Sequence, residues 1–141
     1  MSFLVDTNTI SERTRPIPHP SIVRWFDEVD QAAVFISVVT LAEIRRGIEL
    51  LPWGRRRDRL AAWLAEDLTE RFDGRVLDVN PAIAEMAGTF SAQSKKTGFN
   101  VEALDMFIAA TAAHHELTLV TRNVKDFERL GVALLNPWTD S

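Results

Sequence analysis

An α/β domain with a central parallel sheet and helices on both faces is the fold this sequence predicts. Short apolar runs at 3–5, 34–39, 76–79, 117–121 and 132–135 alternate with longer stretches of helical periodicity. Strands alternating with helices pair in parallel and are joined by right-handed crossovers. The acids Asp6, Glu43 and Asp105 stand where an apolar run hands over to a helix-like one, or in a first helical turn. In an open parallel sheet the carboxyl ends of the strands share one edge, and ligands bind there.

The elements follow in order. Phe3-Leu4-Val5 reads as a first strand, and a short helix near 8–13 is broken by Pro16, Pro18 and Pro20. Pro20-Ser21 opens a helix to about Val29, with Ile22, Val23, Phe26 and Val29 at helical spacing. The strand 34–39 precedes a helix from about Thr40 to Leu51, stopped by Pro52 and Gly54. From Arg55 to Phe72 the chain is amphipathic, with Leu60, Leu64 and Leu68 four residues apart and Trp63 beside them. Asp73-Gly74 turns into a strand at 76–79. Asn80-Pro81 then supplies a cap and a first-turn proline for a helix to about Lys96. Gly98 separates it from a helix that carries Asp105 through to His115. A strand at 117–121, a short helix at 123–130, Gly131 and an apolar run at 132–135 complete the pattern. With no repeat or internal linker, residues 1–141 read as one domain, and only the tail after Asn136 looks loose.

Composition narrows the classes of function. The chain has 141 residues, 46% hydrophobic and 26% charged, as in an ordinary globule with a core of its own. It has no cysteine, which excludes disulfides, thiolate metal sites and cysteine nucleophiles and accords with a cytoplasmic protein. No run is long enough to span a membrane. The N-terminus lacks a basic region and meets Asp6 at once, as expected of a first strand rather than a signal peptide. A net charge of −4 argues against a general nucleic-acid coat but not against an enzyme acting on nucleic acid. Arginines crowd 45–59 (Arg45, Arg46, Arg55, Arg56, Arg57, Arg59), as either a solvated helix face or a handle for phosphate or an acidic partner.

Acids delivered to one edge repel unless a cation sits between them, and a hard divalent ion such as Mg²⁺ or Mn²⁺ suits oxygen ligands. Each acid also has a plainer reading. Asp6 serves equally as a cap for a helix beginning at Thr7 or Asn8, and Glu43, Glu102 and Asp105 suit the first turn of a helix. Their joint placement beside Ser37, Thr40 and Thr121 favours the metal site.

Four stretches resemble one family. Residues 3–8 (FLVDTN), 37–47 (SVVTLAEIRRG), 104–110 (LDMFIAA) and 119–127 (LVTRNVKDF) are similar to PIN-domain ribonucleases, and within them to the VapC/FitB-like toxins of bacterial toxin–antitoxin pairs. The closing Asn136-Pro137-Trp138 shares that likeness. The resemblance implies a PIN fold, a Mg²⁺- or Mn²⁺-dependent endoribonuclease acting on RNA, dimerisation, and inhibition by a small antitoxin with which it forms a hetero-oligomer. It implies that Asp6, Glu43 and Asp105 are the first three acids of the catalytic and metal site.

The fourth acidic position departs from the family, because Asn123 follows Thr121-Arg122. An amide oxygen holds a water or an ion but brings no charge and is no base. Asp126, three residues on, is the alternative source of that charge. Thr7, Asn8, Ser37, Thr40 and Thr121 are candidates to orient the carboxylates by hydrogen bonds, with capping as the competing role for each. The substitution at 123 also leaves open a catalytically weak PIN-fold module that binds RNA or a partner.

Other residues carry less. His19 lies in a proline-rich loop, and His114 and His115 end a helix, where the dipole favours histidine. Of the four tryptophans, Trp53 beside the arginines is the one expected at a partner contact. A haloacid-dehalogenase-type phosphatase needs a second aspartate where Asn8 stands. A receiver-type signalling module needs paired acids beside Asp6 and an aspartate at the end of its third strand, whereas Asp78 lies inside 76–79.

Overall fold

A computed structural model describes residues 1–139. The first strand, β1 (Phe3–Val5), leads into α1 (Thr7–Glu12) and then α2 (Pro20–Glu28). β2 (Val34–Ser37) runs without a loop into α3 (Val38–Leu50). α4 (Arg55–Ala62) continues through a wider π-helical stretch, Trp63–Leu68, into the single turn α5 (Thr69–Arg71). After β3 (Val76–Leu77) come α6 (Pro81–Lys96) and α7 (Ala103–His114), then β4 (Thr118–Val120), α8 (Val124–Phe127) and β5 (Leu134–Leu135). All four strand pairings are parallel, in the order β3-β2-β1-β4-β5. This is the α/β architecture that the alternation predicts. Asp140 and Ser141, the end of the tail expected to be loose, lie outside the described residues.

That strand order has a topological switch point. The chain moves outward from β1 through β2 to β3, then returns to the other side of β1 for β4 and β5. The crossovers leaving β1 and entering β4 diverge, so a crevice opens at the carboxyl ends of these two strands. The amide of Asp6 donates to the Val120 carbonyl at 3.0 Å, fastening the two strands where the crevice begins.

Side chains alternate across the pleat, and the core divides accordingly. Leu4 and Leu119 face a layer formed by α6 and α7, with Ile83, Phe90, Met106 and Ile108. Val5, Val120, Val34 and Ile36 face the opposite layer, where Ile10, Ile22, Phe26, Ile48, Leu68 and Phe72 close over them. Ala109, Ala110 and Ala112 of α7 are wholly buried, and their small side chains let the helix lie close to its neighbours. Truncating a fully enclosed residue such as Leu4 to alanine costs about 2–5 kcal/mol.

Helix starts agree with their capping signals. Asn80 accepts the Ile83 N–H at 2.8 Å with Pro81 in the first turn, as its sequence predicts. The expected boundary at 39–40 is corrected. β2 stops at Ser37, whose hydroxyl accepts the Val39 N–H at 3.0 Å, so Val38 and Val39 already belong to α3. Apolar Val38 and Val39 suit a buried strand and a buried helix alike, and the serine cap decides. The amphipathic segment from Arg55 is also not uniform: Thr69 bonds back to the Leu64 carbonyl, five residues earlier, at 3.0 Å.

Candidate active site at the sheet edge

Asp6 ends β1 and caps α1, its Oδ1 accepting the Thr9 N–H at 2.9 Å. It also receives hydrogen bonds from the side chains of Thr121 and Thr9. The capping role and the site role coincide, because the same turn that needs a cap places the carboxylate in the crevice. Asp6 is buried, and burial raises its pKa although these hydrogen bonds oppose the rise. A carboxylate desolvated against its preference gains from a cation beside it.

Glu43 lies in the second turn of α3, because the helix begins at Val38 rather than Thr40. The macrodipole argument for a first-turn glutamate therefore does not apply. A contact does: the Thr7 hydroxyl donates to Glu43 Oε1 at 2.7 Å, and the Thr7 and Thr40 hydroxyls are 3.0 Å apart. The first turn of α1 thus holds a carboxylate of α3. Asp105 sits in the first turn of α7. Its pKa is pushed up to about 6, first by burial and then by the negative charges of Glu43, Asp6, Glu102 and Asp126. Three acids distant in sequence therefore share one field, although only Asp6 ends a strand: Glu43 lies one turn into α3, and Asp105 follows a loop rather than the strand-like run expected before it.

Among the described residues, no three acidic or imidazole side chains stand ready to coordinate one ion as they are. The donor set nevertheless fits a hard divalent cation. Its oxygen ligands are mutually repelling, two of them are desolvated, and none is paired with a lysine or arginine among the described residues. Asp6, Glu43 and Asp105 are the residues that would hold such an ion.

The remaining candidates divide. Thr7 bonds Glu43 and Thr40 bonds Thr7, and Thr121 joins Asp6 while its Oγ1 accepts the Asn123 N–H at 3.1 Å. Ser37 is a helix cap and, among the described residues, makes no bond to the acids. Asn8, Asn123, Thr7 and Glu43 line one cavity of about 650 Å³. Asp126 lines a smaller cavity of about 200 Å³ with Lys125 and Arg129, and reaches the site only through its charge on Asp105. Glu102, read as a first-turn acid, is the residue before α7 and adds to the same field. A separate cavity, also about 650 Å³, opens on Arg13, Arg71 and Arg75; none of the three acids lines it.

The histidines keep structural places. His19 caps α2 by accepting the Ser21 N–H at 3.2 Å, and His114 and His115 meet edge to face beyond the acids. Trp53 is 84% exposed, with the Arg57 guanidinium 3.9 Å from its ring centroid, a surface position consistent with a contact residue. Sequence reasoning overlooked Glu12, which is buried in the wall of the larger cavity. It accepts the His19 N–H at 2.9 Å and pairs with Arg15 at 3.3 Å. Its only signal is a short helix ending in an acid ahead of a proline-rich loop.

A match to the PIN domain family spans residues 3–133 and so includes every acid of this edge. The chain belongs to the PIN-domain family. It is 37% identical to Toxin FitB of Neisseria gonorrhoeae, over 98% of this chain and 99% of that protein. It is 32% identical to the tRNA(fMet)-specific endonuclease VapC of Shigella flexneri, over 99% of each. Among solved structures, the crystal structure of FitAcB from Neisseria gonorrhoeae superposes with a TM-score of 0.90 at 36% identity. That alignment covers 97% of this PIN domain and 99% of that chain. Among the described residues, no helix is long and apolar enough to cross a membrane.

Proposed function

We propose that this PIN-domain chain is a divalent-metal-dependent endoribonuclease that acts as the toxin of a toxin–antitoxin pair. The observation that carries the reading is the shared field of Asp6, Glu43 and Asp105 at the switch point. Mg²⁺ or Mn²⁺ held there supplies Lewis acidity toward a phosphodiester and toward a water. Glu43 lines the open cavity, so it is the carboxylate that a water beside the phosphodiester meets, and it receives that water's proton. Thr7 and Thr40 keep Glu43 oriented for this, and Thr9 and Thr121 do the same for Asp6. Asn123 contributes an uncharged oxygen at the cavity wall, and Asp126 contributes charge at longer range.

The full-length likeness to Toxin FitB and to a VapC endonuclease supports the toxin role and RNA as substrate. The remaining assignments are a small antitoxin partner, homodimerisation, a single domain over 1–141 and a cytoplasmic location. The test is cleavage of transfer, messenger and ribosomal RNA by the purified chain with Mg²⁺, with Mn²⁺ and with a chelator. Cleavage that requires the ion is expected. A second reading rests on Asn123: a PIN-fold module that binds RNA or a partner without cutting. RNA binding without cleavage in either metal would establish it.

A further inference from the structure

The cavity beside Glu43 has a construction that the acids do not explain. Its lining includes Arg122 and Trp138 together with the apolar Ile44, Ile48 and Leu60. Arg122 comes one residue after Thr121, which bears on Asp6, so its backbone lies at the same edge. The segment after β5 folds back over this point. Asn136 Nδ2 donates to the Arg122 carbonyl at 3.5 Å, and Asn136 Oδ1 accepts the Trp138 N–H at 2.9 Å. These bonds set the Trp138 indole at the cavity, half-buried against the Val5–Val120 layer, with the Arg122 guanidinium 5.6 Å from its ring centroid. The backbone at Trp138 is thus anchored, and its indole packs against the core layer.

Charge in the cavity is also uneven. Glu12 is occupied by the His19 N–H and by Arg15. Arg56 and Arg122 form no ion pair among the described residues. Guanidinium groups without an ion pair among the described residues, an indole and apolar side chains suit an anionic ligand with a flat apolar part.

We propose that this cavity seats the nucleotide next to the scissile phosphate, with its phosphate drawn to Arg122 and Arg56 and its base stacked on Trp138. The inference rests on the ribonuclease reading. RNA is favoured over a protein ligand because Glu43, the residue assigned above to take the water's proton, lines the same cavity together with Asn123. A base can lie on an indole only when it is unstacked from its own helix, so the substrate class is unpaired RNA: a loop, a bulge or a single-stranded end.

The test uses the full chain carrying Asp105→Asn to suppress turnover, in Mg²⁺, with fluorescence anisotropy of labelled probes. The probes are a mixed-sequence decaribonucleotide, the same strand made entirely abasic, and its duplex. Adding Trp138→Leu should weaken binding of the decaribonucleotide about tenfold and leave the abasic strand and the duplex unchanged. Adding the exposed Arg122→Gln should weaken both single strands and reduce the salt slope by about 0.7, one phosphate's worth. Melting curves check that both variants are folded, and Arg122→Gln tests the subsite even if Trp138→Leu does not fold. Unchanged decaribonucleotide affinity, or an equal loss on the abasic strand in Trp138→Leu, overturns the subsite. So does a loss confined to binding of a protein partner. Failure of the wild-type chain to cleave RNA in either metal strikes the ribonuclease reading instead, and the binding measurements still decide the subsite.

Discussion

Thr7 donates its hydroxyl hydrogen to Glu43 Oε1 at 2.7 Å, joining α1 to a helix 36 residues farther along the chain. The bond orients a half-buried glutamate that is proposed above as a metal ligand. Residues that orient metal-binding carboxylates typically contribute 10–100-fold in affinity or activity. Thr7→Val keeps the shape and removes the donor, so RNA cleavage should fall by roughly tenfold or more while the melting temperature shifts little. Thr7→Ser should retain most activity. Cleavage rates at saturating Mn²⁺ check this, and full activity in Thr7→Val would remove the bond from the mechanism.

The two residues competing for the fourth acidic position lie on different sides of the site. Asn123 lines the cavity with Glu43, whereas Asp126 lines the smaller one with Lys125 and Arg129. Asn123→Asp should be tolerated and should tighten Mn²⁺ binding roughly tenfold, about 1.4 kcal/mol for one added charge at close range. Asp126→Asn should weaken it by less. Calorimetric titration of both variants is the check, and a larger effect at 126 than at 123 reverses the assignment.

The elevated pKa of Asp105 makes a pH prediction with a definite sign. In the folded chain its pKa is about 6, against an ordinary 3.8, so the metal-free fold binds this proton more tightly than the unfolded chain does. The corresponding stabilisation is complete below about pH 3.8, is lost as pH rises through about 6, and is then level. Asp6 shifts in the same direction. Asp105→Asn should therefore gain in melting temperature relative to wild type as pH is raised from 4 to 7. Ligation requires the deprotonated acid, so the stabilisation that Mn²⁺ gives wild type should grow over the same interval. Parallel melting curves would refute this if the difference between the two proteins were independent of pH.

Much of this was legible in the chain because local and global signals agree. β1 was visible from Phe3-Leu4-Val5 meeting a capping aspartate, and α6 from Asn80-Pro81. The placement of Asp6 was legible because an open parallel sheet gathers its strand ends at one edge, whereas Asp105 follows no strand and its place in the same field comes from the packing of α7. The start of α3 was not, since Val38 and Val39 satisfy both patterns and only the Ser37 cap separates them. The π-helical stretch was hidden because Leu60, Leu64 and Leu68 mark the same face for either helix type. Glu12 and the Trp138–Arg122 pairing depend on contacts between distant segments, and no spacing rule reports those.

The central claim is that the three acids form one metal-dependent site that cuts RNA. It is tested most directly by comparing wild type with Asp6→Asn in RNA cleavage with and without Mn²⁺, alongside their melting temperatures. The account predicts metal-dependent cleavage by wild type, a loss of at least about a hundredfold in Asp6→Asn, and a variant that remains folded. Full cleavage by folded Asp6→Asn, or cleavage by wild type that survives chelation, would contradict it.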